Sequence, residues 1–265
     1  MKLGTIILAA GAGTRLGKGP KALIEIGGKT LLEWQVQKSG KHVIVLTSEQ
    51  NHEAIDKKID ELSYGHVATV VMPLRSCENK PDYKLPMGNG AVYECVYKSD
   101  AYMGWQNEGV THIAVIFIDN PLAEPLDPEL IGGDLTVVAV TKQDPKEKMG
   151  SVFFLGNSLK VVEYFEIDEE ARRLHMLGYA GTFMMSNKLF ETAAKFDLPW
   201  HEIKRNGLRC LEKFVFDAFP LAKKPRILLK SREEAFAPIK VESDIAIAED
   251  MLYNQRKRKK DKELC

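Results

Sequence analysis

The chain has 265 residues, enough for one large domain with a substantial core. Its 37 basic and 37 acidic residues argue against a nucleic-acid or membrane surface, because those partners usually require a basic excess. No run reaches the 18 apolar residues of a membrane span. Cys77, Cys95, Cys210 and Cys265 show neither CxxC nor CxxH spacing, so we expect free thiols in a reducing cytoplasm, without a zinc site or a disulfide framework.

A glycine-rich segment follows the first apolar run. That run, Leu3 to Ala10, is typical of a β-strand, and it leads into the sequence LAAGAGTRLG at residues 8–17 and then Pro20-Lys21. Small residues leave backbone N–H groups uncovered for phosphate oxygens, and two basic side chains add full charges. The sequence therefore predicts a polyanion-binding loop that contains Leu8, Ala10, Gly11, Gly13, Thr14, Arg15 and Lys21.

The glycine spacing matches neither of two better-known phosphate-binding patterns. A P-loop would need Gly, four residues and then Gly-Lys-Ser/Thr, and the dinucleotide fingerprint would need Gly where Leu16 stands. Glu49 lies well beyond the usual offset of about 20 residues for a ribose-binding acid. An ordinary strand-to-helix turn remains the plain alternative. A signal peptide is the other, but a first β-strand accounts for the same residues.

The next hundred residues alternate between strand and helix patterns. Thr30 and Glu33 form a capping-box sequence for a helix through Val36, and Ile55, Ile59 and Leu62 mark the apolar face of a second helix. We expect strands at 42–47, 67–72 and 113–118, a long Pro-rich connection at 73–86, and a helix at 91–103. Such alternation predicts an α/β fold with a parallel, doubly wound sheet and a site along its carboxyl edge.

Beyond residue 134 the pattern becomes strand-rich. We expect strands at 135–141, 152–155, 159–167, 182–185 and 226–229, a helix at 211–221, and a solvated, untethered charged tail at 256–262. The predicted organisation is a single domain at 1–250, with halves at 1–125 and 126–250, and a charged C-terminal tail at 251–265.

Several separate motifs occur in a characteristic order. They are the glycine-rich loop, Pro86-Met87-Gly88-Asn89-Gly90 with Tyr93, Asp119-Asn120, EKMG at 147–150, KVVEYFEI at 160–167, LEKFVFD at 211–217 and REEAFAPIK at 232–240. Together they resemble the UDP-N-acetylhexosamine pyrophosphorylase family of the UDPGP group, over residues 8–240. The resemblance implies a Rossmann-like, doubly wound mixed sheet of the nucleotide-diphospho-sugar transferase type. It also implies that the domain at 1–250 is catalytic, with residues 1–125 as the nucleotide-binding half and residues 126–250 as the sugar-binding half.

The resemblance also implies a reaction and a division of roles. A sugar 1-phosphate oxygen attacks the α-phosphorus of UTP, and pyrophosphate leaves with Mg²⁺, the expected cofactor. Catalytic roles fall on Arg15, Lys21 and Lys240, and the metal ligand is Asp119. The uridine pocket involves Thr47 and Gly88, Asn89 and Gly90, whose glycines admit a flat base. On the sugar side, Gly150 and Glu163 are expected to face the sugar ring.

The chain departs from the family pattern at two places. Met72 stands where the family has Gln before the base pocket, and the sugar-pocket Ala-Gly-Asn segment is replaced by residues 177–182. Tyr179 and Thr182 offer hydroxyl groups there in place of the missing Asn. N-acetylglucosamine 1-phosphate is therefore the expected sugar substrate, with glucose 1-phosphate as the alternative.

A non-catalytic nucleotide-sugar-binding module is a further alternative, although a pure binder has less need of a metal carboxylate and several phosphate cations together. A dinucleotide oxidoreductase is disfavoured by the loop spacing. We expect small-molecule substrates, UTP and a sugar 1-phosphate, with neither nucleic acid nor membrane as partner. The sequence does not fix the oligomeric state, and a monomer is one of the states that it allows.

Overall fold

The computed structural model describes residues 1–11, 13, 17, 19–78, 80–205 and 207–263. Thr14 and Arg15, two predicted phosphate-loop residues, lie outside them. The described residues form fifteen strands: β1 (Leu3–Leu8), β2 (Glu25–Ile26), β3 (Lys29–Thr30), β4 (Val43–Ser48), β5 (Val67–Met72), β6 (Leu74–Cys77), β7 (Lys80–Pro86), β8 (His112–Phe117), β9 (Leu135–Thr141), β10 (Ser151–Leu155), β11 (Ser158–Val162), β12 (Leu177–Ser186), β13 (His201–Arg205), β14 (Leu208–Glu212) and β15 (Pro225–Leu229).

The α-helices of the described chain are α1 (Leu31–Lys38), α2 (His52–Glu61), α3 (Val92–Tyr97), α4 (Asp100–Glu108), α5 (Glu169–Leu174), α6 (Asn187–Lys195), α7 (Arg232–Ala235) and α8 (Asp244–Glu263). Short 3₁₀ helices lie at Lys21–Leu23, Asn89–Ala91, Pro128–Leu130 and Val215–Leu221. The predicted capping box of α1 is confirmed, because Thr30 Oγ1 accepts from the Glu33 N–H and Glu33 Oε2 accepts from the Thr30 N–H. Among these helices, none has the length and apolar character needed to cross a bilayer.

One nine-stranded sheet organises the fold. Its first half, β5-β4-β1-β8, is parallel throughout. β12 then pairs antiparallel with β8, β9 and β10, and β15 adds to β9 in parallel. The predicted α/β class with a Rossmann-like mixed sheet is confirmed.

Alternate residues of the central strands face two separate apolar layers. Ile6 and Leu8 of β1 pack in the layer that contains α3, α4 and α6, whereas Ile7 packs in the layer that contains α1 and α2. A strand that is buried on both faces must be apolar at nearly every position, which is why the predicted strands of this half are continuous apolar runs. The two layers make the sheet doubly wound, as predicted.

A disulfide joins two hairpins that the sequence does not predict. Residues 74–86, predicted as a long connection, form the β6–β7 hairpin, and Cys77 bonds Cys210 of the β13–β14 hairpin. The expectation of free thiols is wrong for these two cysteines. Because they are 133 residues apart, no local spacing could reveal the pair. The predicted cytoplasmic location loses this supporting argument, since disulfides form mainly in oxidising compartments, and it stays a prediction.

Two further expectations are wrong near the C-terminus. Residues 211–221 are not one helix, because β14 continues to Glu212 by pairing with β13 and a 3₁₀ helix then begins at Val215. The charged tail is not untethered. It belongs to α8, where the Arg256 guanidinium lies 4.9 Å from the Trp34 ring centroid, Lys259 pairs with Glu124, and Arg258 donates to Glu233 O.

Candidate functional site

The order of the parallel strands creates a crevice between β1 and β8. The chain runs from β1 outward to β4 and β5 and then returns to β8 on the other side of β1. In open α/β sheets, ligands bind outside the carboxyl ends of the strands at this reversal. The glycine-rich segment follows β1 and Asp119 follows β8, so both predicted site segments border the crevice.

Lys21 and Asp119 meet at this crevice. Lys21 begins the short 3₁₀ helix after the glycine-rich segment, and its Nζ lies 3.0 Å from Asp119 Oδ2. The two side chains keep 23% and 21% of their surface exposed, so both remain accessible to a ligand. The structure therefore brings a predicted phosphate cation and a predicted metal carboxylate into direct contact across 98 residues of sequence.

The described part of the glycine-rich segment is folded back on itself. Gly13 has a φ of +65°, and a Cβ there would lie 2.3 Å from Gly19 O, so only glycine fits. Neighbouring side chains fix the start of the segment, because Ser48 Oγ donates to Ala10 O and Asn51 Nδ2 donates to Ala9 O. Gly11 is exposed, with open space around its Cα in the described structure. Its backbone is accessible to a bulky anion.

Asn120 fixes the position of the adjacent Asp119. It is buried, and its Nδ2 donates to Ala180 O and Ala235 O while its Oδ1 accepts from the Ala237 N–H. Its own carbonyl accepts from Gln35 Nε2 at 2.6 Å. One amide side chain thus joins the end of β8 to β12 and to the segment after α7. The sequence placed Asn120 in a motif but assigned it no role.

The segment after α7 brings Lys240 to the same crevice. The Ile239 N–H donates to Asp119 O at 2.8 Å, so Lys240 follows directly after a residue bonded to Asp119. Lys240 Nζ donates to Lys148 O, next to the Met149-Gly150 segment. Its positive charge also acts on Glu163, where it opposes the burial that raises the pKa of the carboxyl group. Lys240, Gly150 and Glu163 are therefore brought to one side of the site.

On this side of the site, the charge of Glu163 acts on the Tyr179 hydroxyl and contributes to its raised pKa. Burial raises the pKa of Glu163, with Glu166 and Glu212 adding to the effect and Lys240 opposing it. Burial also raises the pKa of Tyr179 well above its ordinary value, helped by Tyr93, Glu163 and Asp119. Within the described structure, the buried Tyr179 hydroxyl has no hydrogen-bond partner. An orphaned hydroxyl near two carboxylates can bind a polar substrate group.

Thr182 is not brought to this group. β12 is irregular between Tyr179 and Phe183, where Gly181 has a φ of +75°. Thr182 instead lines a separate cavity of about 160 Å³ with Leu122, Lys230 and Gln255. One of the two hydroxyls expected to replace the missing family Asn therefore lies at a different cavity, and the other, that of Tyr179, is close enough to Glu163 for their charges to interact.

Close backbone packing explains why the Gly88-Asn89-Gly90 segment needs glycine at two positions. A Cβ on Gly88 would lie 2.4 Å from Lys213 O, and one on Gly90 would lie 2.7 Å from the Phe214 carbonyl carbon. The Asn89 side chain accepts from the Val215 N–H. These contacts dock the segment on residues 213–215, so close backbone packing accounts for the glycines. Their predicted role in admitting a base stays a prediction.

The Thr47 side chain also has a structural role. It is fully buried, and its hydroxyl donates to Val70 O of the neighbouring strand. Its side chain therefore joins β4 to β5. Met72, at the end of β5, is likewise buried in the apolar layer beside α3.

A buried lysine that the sequence analysis missed lies beside the sugar-side residues. Lys142 follows β9, is 3% exposed, and donates from Nζ to Ser151 Oγ at 2.5 Å. Burial lowers its pKa, while Glu147 and Glu163 oppose that shift. Nothing in its local sequence distinguishes it from a surface lysine.

The donor set suits a metal ion that arrives with a substrate. Among the described residues, no group of three or more His, Cys, Asp or Glu side chains is placed to hold a metal ion. Asp119 supplies one hard carboxylate at the crevice, and Mg²⁺ is usually held by one or two carboxylates together with phosphate oxygens and waters. The residues present therefore fit Mg²⁺ bound through a nucleotide.

Comparisons with known proteins agree with this geometry. A model of the MobA-like NTP transferase domain matches residues 5–73, which include the glycine-rich segment and β4. A probable UDP-N-acetylglucosamine pyrophosphorylase of Encephalitozoon cuniculi (strain GB-M1) is 28% identical over 93% of this chain and 83% of that protein. UDP-N-acetylglucosamine diphosphorylase 1 of Arabidopsis thaliana is also 28% identical, over 90% of this chain and 60% of that protein. The chain thus spans about three fifths of the plant relative.

Solved structures show the same fold. A putative UDP-N-acetylglucosamine pyrophosphorylase from Entamoeba histolytica superposes with a TM-score of 0.85, at 21% identity, over 96% of this chain and 80% of that one. The Trypanosoma brucei UDP-N-acetylglucosamine pyrophosphorylase, solved with an inhibitor, gives a TM-score of 0.74 at 21% identity, over 93% and 64%. The resemblance and the fold type that the sequence predicts are confirmed.

Proposed function

We propose that this protein is a uridylyltransferase that forms UDP-N-acetylglucosamine and pyrophosphate from UTP and N-acetylglucosamine 1-phosphate. The observation that carries the proposal is the contact between Lys21 and Asp119 at the crevice between β1 and β8. The relatives' names support the nucleotidyltransferase class and the UDP-sugar product, and the alignments span 90% or more of this chain.

The reaction needs positioning and charge neutralisation more than covalent help from the protein. A phosphate oxygen of the sugar 1-phosphate attacks the α-phosphorus of UTP, the bond between the α-phosphorus and the bridging oxygen breaks, and pyrophosphate takes the electron pair. In this proposal Lys21 stabilises charge at the reacting phosphate. Lys240, whose charge acts on Glu163, binds the phosphate of the sugar substrate.

We propose Asp119 as the ligand of Mg²⁺, which when bound would screen the negative charge of the triphosphate. Lys21 Nζ donates to one oxygen of this carboxylate. Substrate phosphates would give Lys21 a new partner and free Asp119 for the cation. The pair is therefore suited to separate when the nucleotide binds.

For the sugar, we propose that the Tyr179 hydroxyl supplies the polar contact that the missing family Asn would make. Its hydroxyl is buried without a partner in the described structure, and a site whose buried polar group needs a substrate partner can reject an analogue by up to about 10⁴-fold. In the same proposal Glu163 accepts from ring hydroxyls, which N-acetylglucosamine and glucose share. N-acetylglucosamine 1-phosphate is thus preferred, and glucose 1-phosphate is the alternative.

The test is to incubate the protein with UTP, Mg²⁺ and either sugar 1-phosphate, and to measure pyrophosphate release. We expect release with N-acetylglucosamine 1-phosphate to exceed release with glucose 1-phosphate. Tyr179→Phe is expected to reduce that preference, because it removes only the hydroxyl. Turnover of glucose 1-phosphate alone would overturn the sugar assignment, and no release with any sugar 1-phosphate would overturn the enzyme assignment.

A further inference from the structure

A histidine that the proposed reaction does not use lies between two carboxylates. His201, the first residue of β13, has Nδ1 2.7 Å from Glu166 Oε1 and Nε2 2.8 Å from Asp217 Oδ2. A neutral imidazole has one N–H and one lone pair, so it can donate to only one of these carboxylates. An imidazolium donates to both. The geometry therefore favours the charged ring.

Aromatic and charged groups surround the ring. Burial raises the pKa of one of them, Asp217, and the hydrogen bond and charge of His201 oppose that shift. The ring stacks on Phe214 with centroids 4.3 Å apart, and its cross-strand neighbour Glu212 pairs with Arg205. Burial lowers the pKa of His201, but the hydrogen bonds and charges of Glu166 and Asp217 outweigh that effect and raise the pKa above its ordinary value.

His201 joins segments that carry predicted site residues. Glu166 belongs to a turn in which Glu163 O accepts from the N–H groups of Glu166 and Ile167. On the other side of the ring, Asp217 belongs to the 3₁₀ helix at Val215–Leu221. Phe214, beneath the ring, follows Lys213, whose backbone bonds Met87 O and the Gly90 N–H. The ring therefore lies where the Glu163 turn meets the segment that docks on residues 88–90.

We propose that His201 is a positioning residue for the sugar 1-phosphate, and that its imidazolium holds the turn carrying Glu163 by bonding Glu166 and Asp217 together. The identity of the substrate rests on the proposed function, whereas the bridge itself does not. When the ring loses its proton, one nitrogen turns a lone pair toward a carboxylate. That repulsion opens the bridge on one side and releases the turn.

The kinetic test separates the two substrates. In His201→Gln we expect the KM for the sugar 1-phosphate to rise about 10-fold, the scale of one lost hydrogen bond to a charged group, with the KM for UTP unchanged. In the unmodified protein the same KM should rise as the pH increases through the raised pKa of His201. Equal effects on both substrates, or none, would overturn the proposal.

Two further variants distinguish positioning from general stability. Glu166→Gln replaces a carboxylate by an amide, which can donate to an unprotonated ring nitrogen. We expect this variant to keep a near-normal KM that no longer depends on pH in this range. His42→Gln is the matched control, because His42 also bonds a carboxylate, Glu108 at 2.9 Å, but precedes β4 at the opposite edge of the sheet. Its KM should be unchanged.

A measurement without substrate tests the bridge alone. In the ¹⁵N-labelled full chain, the His201 ring should titrate above the ordinary histidine pKa of about 6.5, and its pKa should fall in Glu166→Gln. A His201 ring that is neutral at pH 6.5 would overturn the bridge. If the unmodified protein makes no UDP-sugar while the ring titrates as expected, the proposed function fails and the bridge stands, without its substrate.

Discussion

Lys21 and Asp119 have separate proposed roles that can be measured one at a time. In the proposed reaction, Lys21→Ala removes a cation from the place where charge develops, and preorganised donors of this kind are typically worth about 100-fold or more in rate. We expect kcat/KM for UTP to fall on that scale while the thermal unfolding temperature changes little, because the side chain is partly exposed. The control is Lys41→Ala, whose side chain is 72% exposed and which precedes β4 at the opposite edge of the sheet. Near-normal turnover in Lys21→Ala would contradict the assigned role.

Asp119→Asn keeps the shape of the side chain and removes the charge that holds a hard cation. The variant is expected to need a much higher Mg²⁺ concentration for half-maximal rate, or to be inactive at every concentration. A Mg²⁺ titration at saturating UTP measures this, with Asp197→Asn as control because the Asp197 side chain is 94% exposed. An unchanged titration would place the metal ligand at another residue.

At the residue scale, the sequence predicts groups that stand beside a strand end and misses groups whose partners are distant. Lys21 and Asp119 each follow a strand of the parallel half, so the sheet itself brings them together. Three of the hydrogen bonds of the Asn120 side chain reach residues 60, 115 and 117 positions away, and no local pattern encodes such a set. The role of His201 is equally hard to predict from the sequence, since the two carboxylates that it bonds lie 35 and 16 positions away on different segments.

At the element scale, the parallel half of the sheet was predictable, because its strands are buried on both faces and are therefore continuous apolar runs in the sequence. The β6–β7 and β13–β14 hairpins were not, because most of their residues are exposed or half-buried and the strands are defined by cross-strand partners rather than by an apolar pattern. β14 holds Leu211 and Glu212 in a ladder with β13, which overrides the helical pattern that begins there. The packing of α8 against the domain was not predicted for a similar reason. Its run of basic residues is typical of a solvated tail, and the partners that hold it, such as Glu124, are distant in the sequence.

The docking of residues 88–90 predicts a steep cost for one added methyl group. Gly88→Ala would place a Cβ against Lys213 O at a φ of +92°, so both the backbone conformation and the packing oppose it. We expect a loss of several kcal/mol in the free energy of unfolding, measured by urea denaturation. The reason is that the backbone around Lys213 is closely packed and cannot move away from the added methyl group without disrupting other contacts.

Gly156→Ala provides the comparison, because Gly156 also has a positive φ, +58°, but no described atom lies within 4 Å of its added Cβ. That variant should lose only the conformational share, about 1–2 kcal/mol. If both substitutions have the same effect on the free energy of unfolding, the contact with Lys213 is not what requires glycine at position 88.

At the scale of the whole molecule, the disulfide closes a long loop. Cys77 and Cys210 are separated by 133 residues, and the chain-entropy model gives a stabilisation of about 4–5 kcal/mol for a loop of this length. The Cys77→Ser, Cys210→Ser double variant is expected to unfold at a lower urea concentration than the oxidised protein. A reducing agent should lower the stability of the unmodified protein to a similar degree.

The same reducing agent should leave the double variant unchanged, which controls for effects on other groups. Cys95→Ser is the second control, because Cys95 is a free thiol whose pKa is raised to about 11 by burial and by nearby Glu94. Oxidised and reduced forms of equal stability would show that the disulfide does not constrain the unfolded chain.

The packing of α8 against the domain determines how far an exopeptidase can digest the chain from its carboxyl end. Ala248 and Leu252 of this helix are buried in the apolar layer that also contains α1 and α2, and Gln255 Nε2 donates to both Leu122 O and Glu234 O. An exopeptidase digesting from the carboxyl end should therefore remove the outer charged residues quickly and slow as it reaches Gln255. A digestion intermediate near that length should persist, and trimming past Leu252 should release the fold to rapid, complete degradation.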